Sequence, residues 1–157
     1  MGSLLIGDRA PGFKLVSSDK KEVNLSDFKN QPLVVFFFPF AFSGTCTTEL
    51  CQIRDSFANF ADLNVTVLAI SVDSPYTLNK FKELNNYPFI MLSDFNKIAC
   101  KAYDCMHEEF SLGLRGVAKR SAFVIDKEGL IKYEEILDIP SNLPNFDAIN
   151  QVLNNLN

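Results

Sequence analysis

The chain has 157 residues, a formal net charge of -4, and 47% apolar against 22% charged residues. That balance excludes a disordered segment and suits one domain over residues 1–157 folded around its own core. It also excludes the basic footprint of a nucleic-acid binder, which the short cluster Arg115 to Arg120 does not restore.

Met1 to Ile6 has neither a basic head nor a sustained apolar stretch, so no secretion leader is read there. Ile6 stands where an acylation signal at Gly2 wants Ser or Thr. Pro11 to Val16 and Glu22 to Asn24 read as short strands about a turn at Ser17 to Lys21. Ser26 caps a turn of helix that runs to Phe28. Pro32 then opens Leu33 to Phe38, an unbroken apolar run. Its lack of alternation predicts a strand covered on both faces, and it is too short to span a bilayer. Cys46 to about Phe60 reads as a long helix, with Leu50, Ile53, Phe57 and Phe60 on a helical period. Val65 to Val72 is a second buried strand. Ser74-Pro75 starts a helix that continues to Leu84. Phe89 to Leu92 is a third strand, and Asp94 leads into a helix over about Asn96 to Tyr103.

Met106 to Val117, punctuated by Gly113 and Gly116, reads as a loop or broken helix. Ser121 to Asp126 and Leu130 to Ile136 flank Lys127-Glu128-Gly129 as a hairpin. Phe146, Ile149, Val152, Leu153 and Leu156 mark a last amphipathic helix, and the Asn-rich end, Asn150 to Asn157, reads as polar surface and fraying. The order of elements predicts an α/β chain with a central mixed sheet flanked by helices.

The chemistry concentrates in Phe36 to Cys51, where a buried strand runs through a turn into a helix. Ligands of open α/β sheets gather at the carboxyl ends of strands, and Cys46 follows such an end. It falls in the first turn of the helix, where unpaired amides favour negative charge and hence a thiolate. Pro39 fixes its own backbone, Gly44 admits close approach, and Ser43 and Thr45 bring hydroxyls. With the amides of residues 44 to 46 they form a surround for a small oxygen-bearing group. Cys46 also stands four residues before Leu50, on the core stripe, which equally suits a passive buried cysteine.

Glu49 either caps the helix or orients an arginine. Arg120, directly before an apolar strand, offers a permanent charge and five donors, although its residue type alone also fits a solvated surface. Cys51 follows Cys46 by five positions. In an intact helix their Cα atoms are about 8 to 9 Å apart, beyond the roughly 7 Å that a disulfide spans. A bond between them requires the first turns to unwind; without one, Cys51 is a thiol on the helix flank. Four cysteines without a secretion leader read as thiols in a reducing, cytoplasmic setting. Cys100 reads as core, and Cys105 as core or as a later thiol in a relay. A single histidine, His107, and the wide Cys100 to Cys105 spacing give no metal site, and no Cys-x-x-Cys pair is present.

Pro39-Phe40-Ala41-Phe42-Ser43-Gly44-Thr45-Cys46 reproduces a proline, three residues, Ser or Thr, two residues and a cysteine. This resembles the peroxiredoxin pattern. Gly7 to Phe13, Ile70 to Ser74, Leu92-Ser93-Asp94 and Arg120 to Gly129 are similar to further stretches of that family, so the resemblance covers nearly all of the chain. It implies a thioredoxin-like fold and a thiol-dependent peroxidase. Cys46 would attack hydrogen peroxide or an alkyl hydroperoxide and become a sulfenic acid, with no metal, flavin or haem. Ser43 would hydrogen-bond substrate or thiolate, Arg120 would stabilise both, Pro39 would shield the thiol, and Glu49 would orient the arginine.

The Cys46 to Cys51 spacing resembles the bacterioferritin-comigratory-protein (PrxQ-like) branch, in which the second cysteine resolves the sulfenic acid within one chain. The tail from Ile139 to Ile149, with Arg115 to Arg120, is similar to the AhpE-like one-cysteine branch, resolved by an external thiol. The family implies thioredoxin, glutaredoxin or a low-molecular-weight thiol as reductant, a monomer or homodimer, and neither nucleic acid nor membrane as partner. A peroxide sensor shares the same first step.

Overall fold

The computed structural model describes residues 4–156. The readings placed on Met1, Gly2, Ser3 and Asn157 lie outside the described residues. Among those described, seven strands form one sheet: β1 Lys14–Ser17, β2 Glu22–Asn24, β3 Leu33–Phe37, β4 Thr66–Ser71, β5 Ile90–Ser93, β6 Ser121–Ile125 and β7 Ile131–Ile136. The helices are α1 Gly44–Asp55, α2 Phe57–Asp62, α3 Pro75–Asn85, α4 Ile98–Ala102 and α5 Phe146–Asn154. The strand order is β2-β1-β5-β4-β3-β6-β7. β3, β4 and β5 run parallel, and the other neighbours pair antiparallel.

β3 lies inside the sheet with every residue buried, as its unbroken apolar run requires. Because side chains alternate across a strand, its residues divide between two cores. Val35 and Phe37 join Leu68, Ile70, Tyr103 and Phe123 on the α4 side. Val34 and Phe36 join Cys46, Leu50, Phe81 and Ile149 on the side of α1, α3 and α5. The same alternation on β6 sends Ala122 and Val124 to the α1 side and Phe123 and Ile125 to the other. Arg120, one position before β6 and even-numbered like Ala122, inherits the α1 side. The register pairs Phe37 with Ser121, so the end of β3 that feeds the cysteine turn lies beside the start of β6.

Several predicted boundaries shift, each for a local reason. The helix predicted from Cys46 to Phe60 starts at Gly44 and breaks at Ser56 into α1 and α2. Asp55 and Ser56 are weak helix formers whose short polar side chains compete for backbone groups. The turn predicted to be capped by Ser26 runs from Leu25 to Phe28, and its reciprocal cap is the Asp27 carboxylate accepting from the Asn24 amide at 2.9 Å. α4 is shorter than predicted: Lys97 takes a left-handed backbone, with φ 63°. Asp94 caps α4 from a distance, accepting from the Ala99 and Cys100 amides at 2.9 and 2.7 Å. The first strand occupies Lys14–Ser17, not Pro11 to Val16. The hairpin forms as predicted, with Gly129 at φ 85° and Asp126 Oδ1 accepting from the amides of Glu128 and Leu130. No helix among the described residues is long and apolar enough to cross a membrane.

Candidate active site

Between β3 and α1 the chain turns through residues 38–43, with Pro39 buried and Phe42 at φ 70°. A positive φ is costly for a bulky side chain, so the turn must be held from outside. Asp73, just past β4, does this: its Oδ2 accepts from the Ala41 amide at 2.7 Å and from Ser71 Oγ at 2.6 Å. The Phe42 ring packs on Phe81 of α3 at 4.8 Å between centroids, although the residue is 52% exposed. Ser43 flanks the start of α1; its carbonyl accepts from the Thr47 amide at 2.9 Å, and its hydroxyl donates to the Phe40 carbonyl at 3.1 Å. The hydroxyl expected at substrate or thiolate is thus also a strut of the turn, with its oxygen lone pairs still available.

Cys46 is the third residue of α1 and is fully buried. The amides of Gly44, Thr45 and Cys46 precede the first intrahelical bond and have no protein acceptor among the described residues. Glu49, three residues on, lies on the same buried face as Cys46, Leu50 and Ile53. Arg120 reaches both from the neighbouring strand end. Its Nη1 donates to Cys46 Sγ at 3.2 Å and to Glu49 Oε1 at 2.6 Å. Its Nε and Nη2 donate to the Pro140 carbonyl at 3.3 and 2.9 Å. A guanidinium carries five N–H bonds, so one on Nη2 is left over. The arrangement therefore presents a sulfur, an adjacent cation, a spare guanidinium donor and free helix amides.

Burial sets the electrostatics. It pushes the Glu49 carboxyl up to about 7, against the pull of Arg120, and Glu49 Oε2 has no hydrogen-bond partner. Burial also opposes the Arg120 charge, but Glu49 and the Cys46 sulfur outweigh it and hold its proton more firmly than usual. A buried carboxylate or guanidinium without its partner is costly, so each keeps the other in place.

Pro39, Ser43, Cys46, Glu49 and Arg120 are gathered at one end of β3. Cys51 lies further along α1, partly exposed, with its sulfur 3.6 Å from the Tyr87 hydroxyl. All four cysteines are free. Cys100 and Cys105 lie in the core on the other side of the sheet from Cys46. The sheet stands between the Cys105 and Cys46 sulfurs, which favours the core reading of Cys105 over the relay. The Pro140 carbonyl, Asp73 and Tyr87 were not singled out from sequence. A backbone carbonyl leaves no residue signal, and the other two act across gaps of more than thirty positions. A cavity of about 860 Å³ opens beside Leu33 and Ile125, at the opposite end of the sheet from Cys46.

Comparison with known proteins agrees with this geometry. Residues 6–134 match the AhpC/TSA family. Peroxiredoxin Bcp of Bacillus subtilis (strain 168) is 39% identical over 130 residues, covering 81% of this chain and 82% of that protein. The chain belongs to the peroxiredoxins. A peroxiredoxin-like protein from Aquifex aeolicus superposes with a TM-score of 0.90 at 27% identity, covering 100% of this chain and 90% of the other. A PrxQ mutant from Xylella fastidiosa gives 0.84 at 28%, covering 99% and 97%. The fold is thioredoxin-like, and the activity of this peroxiredoxin is that of a thiol-dependent peroxidase.

Proposed function

We propose that this peroxiredoxin, acting as one domain, reduces hydrogen peroxide and alkyl hydroperoxides at Cys46, with Cys51 resolving the product and thioredoxin or a similar dithiol restoring both thiols. The observation that carries the reading is the 3.2 Å contact from Arg120 Nη1 to the buried Cys46 sulfur. The contact sets a permanent cation against the sulfur that acts as nucleophile. Peroxide enters with one oxygen near the sulfur and the other near the spare Arg120 donor and the amides at the start of α1. As the S–O bond forms and the O–O bond breaks, charge grows on the departing oxygen, and fixed donors favour that state. That oxygen leaves as water or an alcohol after gaining a proton, and Cys46 becomes a sulfenic acid. Pro39 closes one side of the thiol, Ser43 holds the turn and offers its oxygen, and Glu49 keeps the arginine aimed.

Cys51 is the partly exposed thiol on the same helix. In intact α1 it is too far from Cys46 for a bond, so resolution requires the first turn to open. A reducing cytoplasmic compartment supplies the donor.

The test is intact-mass analysis and thiol counting after one equivalent of peroxide, on the wild type, Cys46→Ser and Cys51→Ser. We expect the wild type to lose two thiols through a Cys46–Cys51 bond, Cys51→Ser to gain one oxygen on Cys46, and Cys46→Ser to stay unreacted. Cys46 oxidised with Cys51 still free in the wild type replaces this reading with a one-cysteine cycle resolved by an external thiol. An unreactive Cys46 ends the reading.

A further inference from the structure

Cys51 stands apart from Cys46, Glu49 and Arg120, in surroundings of another kind. Its Sγ is 3.6 Å from the Tyr87 hydroxyl, a residue 36 positions away, so the tertiary fold makes this contact. Tyr87 is 3% exposed. Its ring stacks on Phe89 at 5.1 Å and 21°, and meets Phe81 edge-on at 5.2 Å and 81°. Those two rings fix the phenol from both sides. Burial and the neighbouring sulfur push the Tyr87 hydroxyl well above the ordinary phenol range, so it remains an O–H donor. Arg54, on the same helix, acts electrostatically on both Cys51 and Tyr87, and Cys46 acts on Tyr87. Arg54 turns two of its donors elsewhere: its Nε donates to Asp55 Oδ1 at 3.0 Å and its Nη1 to the Asn85 carbonyl at 2.8 Å. Among the described residues, the hydrogen-bond partner of the Cys51 sulfur is the phenol.

We propose that Tyr87 is a positioning residue for the resolving step, holding the Cys51 sulfur on the flank of α1 and donating its O–H to that sulfur as it ionises. This rests on Cys51 being the resolving thiol. In that step the Cys51 thiolate attacks the sulfur of the Cys46 sulfenic acid. An S–S bond forms as the S–O bond breaks, and the oxygen leaves with the bonding pair as hydroxide, taking a solvent proton to become water. Cys51 is oxidised and the Cys46 sulfur is reduced. The opening turn carries Cys46 toward a sulfur that stays where Tyr87 keeps it. A hydrogen bond to the sulfur as charge develops on it favours the attack by about threefold.

Tyr87→Phe keeps the ring and its stacking and removes only the hydroxyl. With the full chain, quenched time courses after one equivalent of hydrogen peroxide should show Cys46 oxidation unchanged. Disulfide formation should slow about threefold, its rate-against-pH curve should move to higher pH, and more Cys46 should be lost as sulfinic acid at excess peroxide. A residue acting by packing alone leaves the pH curve in place. Disulfide formation that is equally fast, or faster, with no displacement of the curve overturns the proposal. A second measurement separates the two readings: in Cys46→Ser, the pH dependence of Cys51 alkylation by iodoacetamide should also move to higher pH on adding Tyr87→Phe. If it does while the wild type forms no Cys46–Cys51 bond, the resolving role of Cys51 fails although the hydrogen bond acts. If alkylation does not shift, the role of Tyr87 fails on its own account.

Discussion

Arg120 and Glu49 form a buried ion pair of 2.6 Å, and the same guanidinium nitrogen stands 3.2 Å from Cys46 Sγ. The Pro140 carbonyl holds the rest of the fork. The arginine is therefore fixed from two sides, and its position at the sulfur is set before any peroxide arrives.

Arg120→Met removes the cation and the spare donor while keeping much of the side-chain volume. The second-order rate of Cys46 oxidation should fall by about a hundredfold or more, as when one fixed transition-state donor is lost. Arg120→Lys should recover only part of the rate, because an ammonium cannot serve Cys46, Glu49 and Pro140 as a fork does. Competition kinetics for hydrogen peroxide reads both. A rate within threefold of wild type for Arg120→Met removes the arginine from the mechanism.

Glu49 gives a pH dependence of stability. Burial lifts its carboxyl from the ordinary 4.5 to about 7, in spite of Arg120. Between those two values the folded chain holds a proton that the unfolded chain has released. Stability from this group is therefore fully present below pH 4.5, falls as pH rises toward 7, and is level above that. The whole effect is about 3 kcal/mol. Urea midpoints across this window should fall with pH in the wild type and fall less in Glu49→Gln. Parallel slopes in the two proteins dismiss the idea.

The turn before α1 depends on Asp73. Asp73→Ala leaves the Ala41 amide without its acceptor and should cost about 1–3 kcal/mol. Cys46 oxidation should slow as the turn loosens. Asp73→Asn keeps one oxygen acceptor and should lose less. Denaturant midpoints and peroxide kinetics measured together check this; wild-type values for Asp73→Ala in both would show that the turn is held elsewhere.

Cys100 and Cys105 should be bystanders. Burial, aided by Asp94, pushes the Cys100 thiol up to about 12, and burial with Cys100 nearby pushes Cys105 well above its ordinary value. Both should resist alkylation in the folded protein and yield to it in urea. Cys100→Ala and Cys105→Ala should keep turnover within about twofold while losing about 1 kcal/mol of stability each. A large drop in turnover with the fold intact would restore a relay.

How much of this was legible depended on distance along the chain. The order of strands and helices along the chain followed from apolar runs, and Cys46 stood out because strand, turn and helix start are local patterns. Arg120 was placed by its position at a strand end and by the family resemblance. Its partnership with Glu49 needed the helix face and the β3–β6 register together. The break at Ser56 and the left-handed Lys97 are one-residue events inside otherwise helical stretches, the kind that periodicity averages away. Tyr87 carries no local pattern that marks it. Its contact with Cys51 arises only when the segment after α3 is laid against α1.

Cys46 and Arg120 are separated by 74 positions, and the pairing of Phe37 with Ser121 is what joins them. A ribosome releases the cysteine long before the arginine exists. Until β6 closes onto β3, the thiol has no guanidinium beside it. Such long-range closure is among the slower events of folding. Rapid peroxide reactivity is therefore a property acquired late in the life of the chain, and the rate at which a refolding sample regains it should report the docking of β6 rather than the formation of α1.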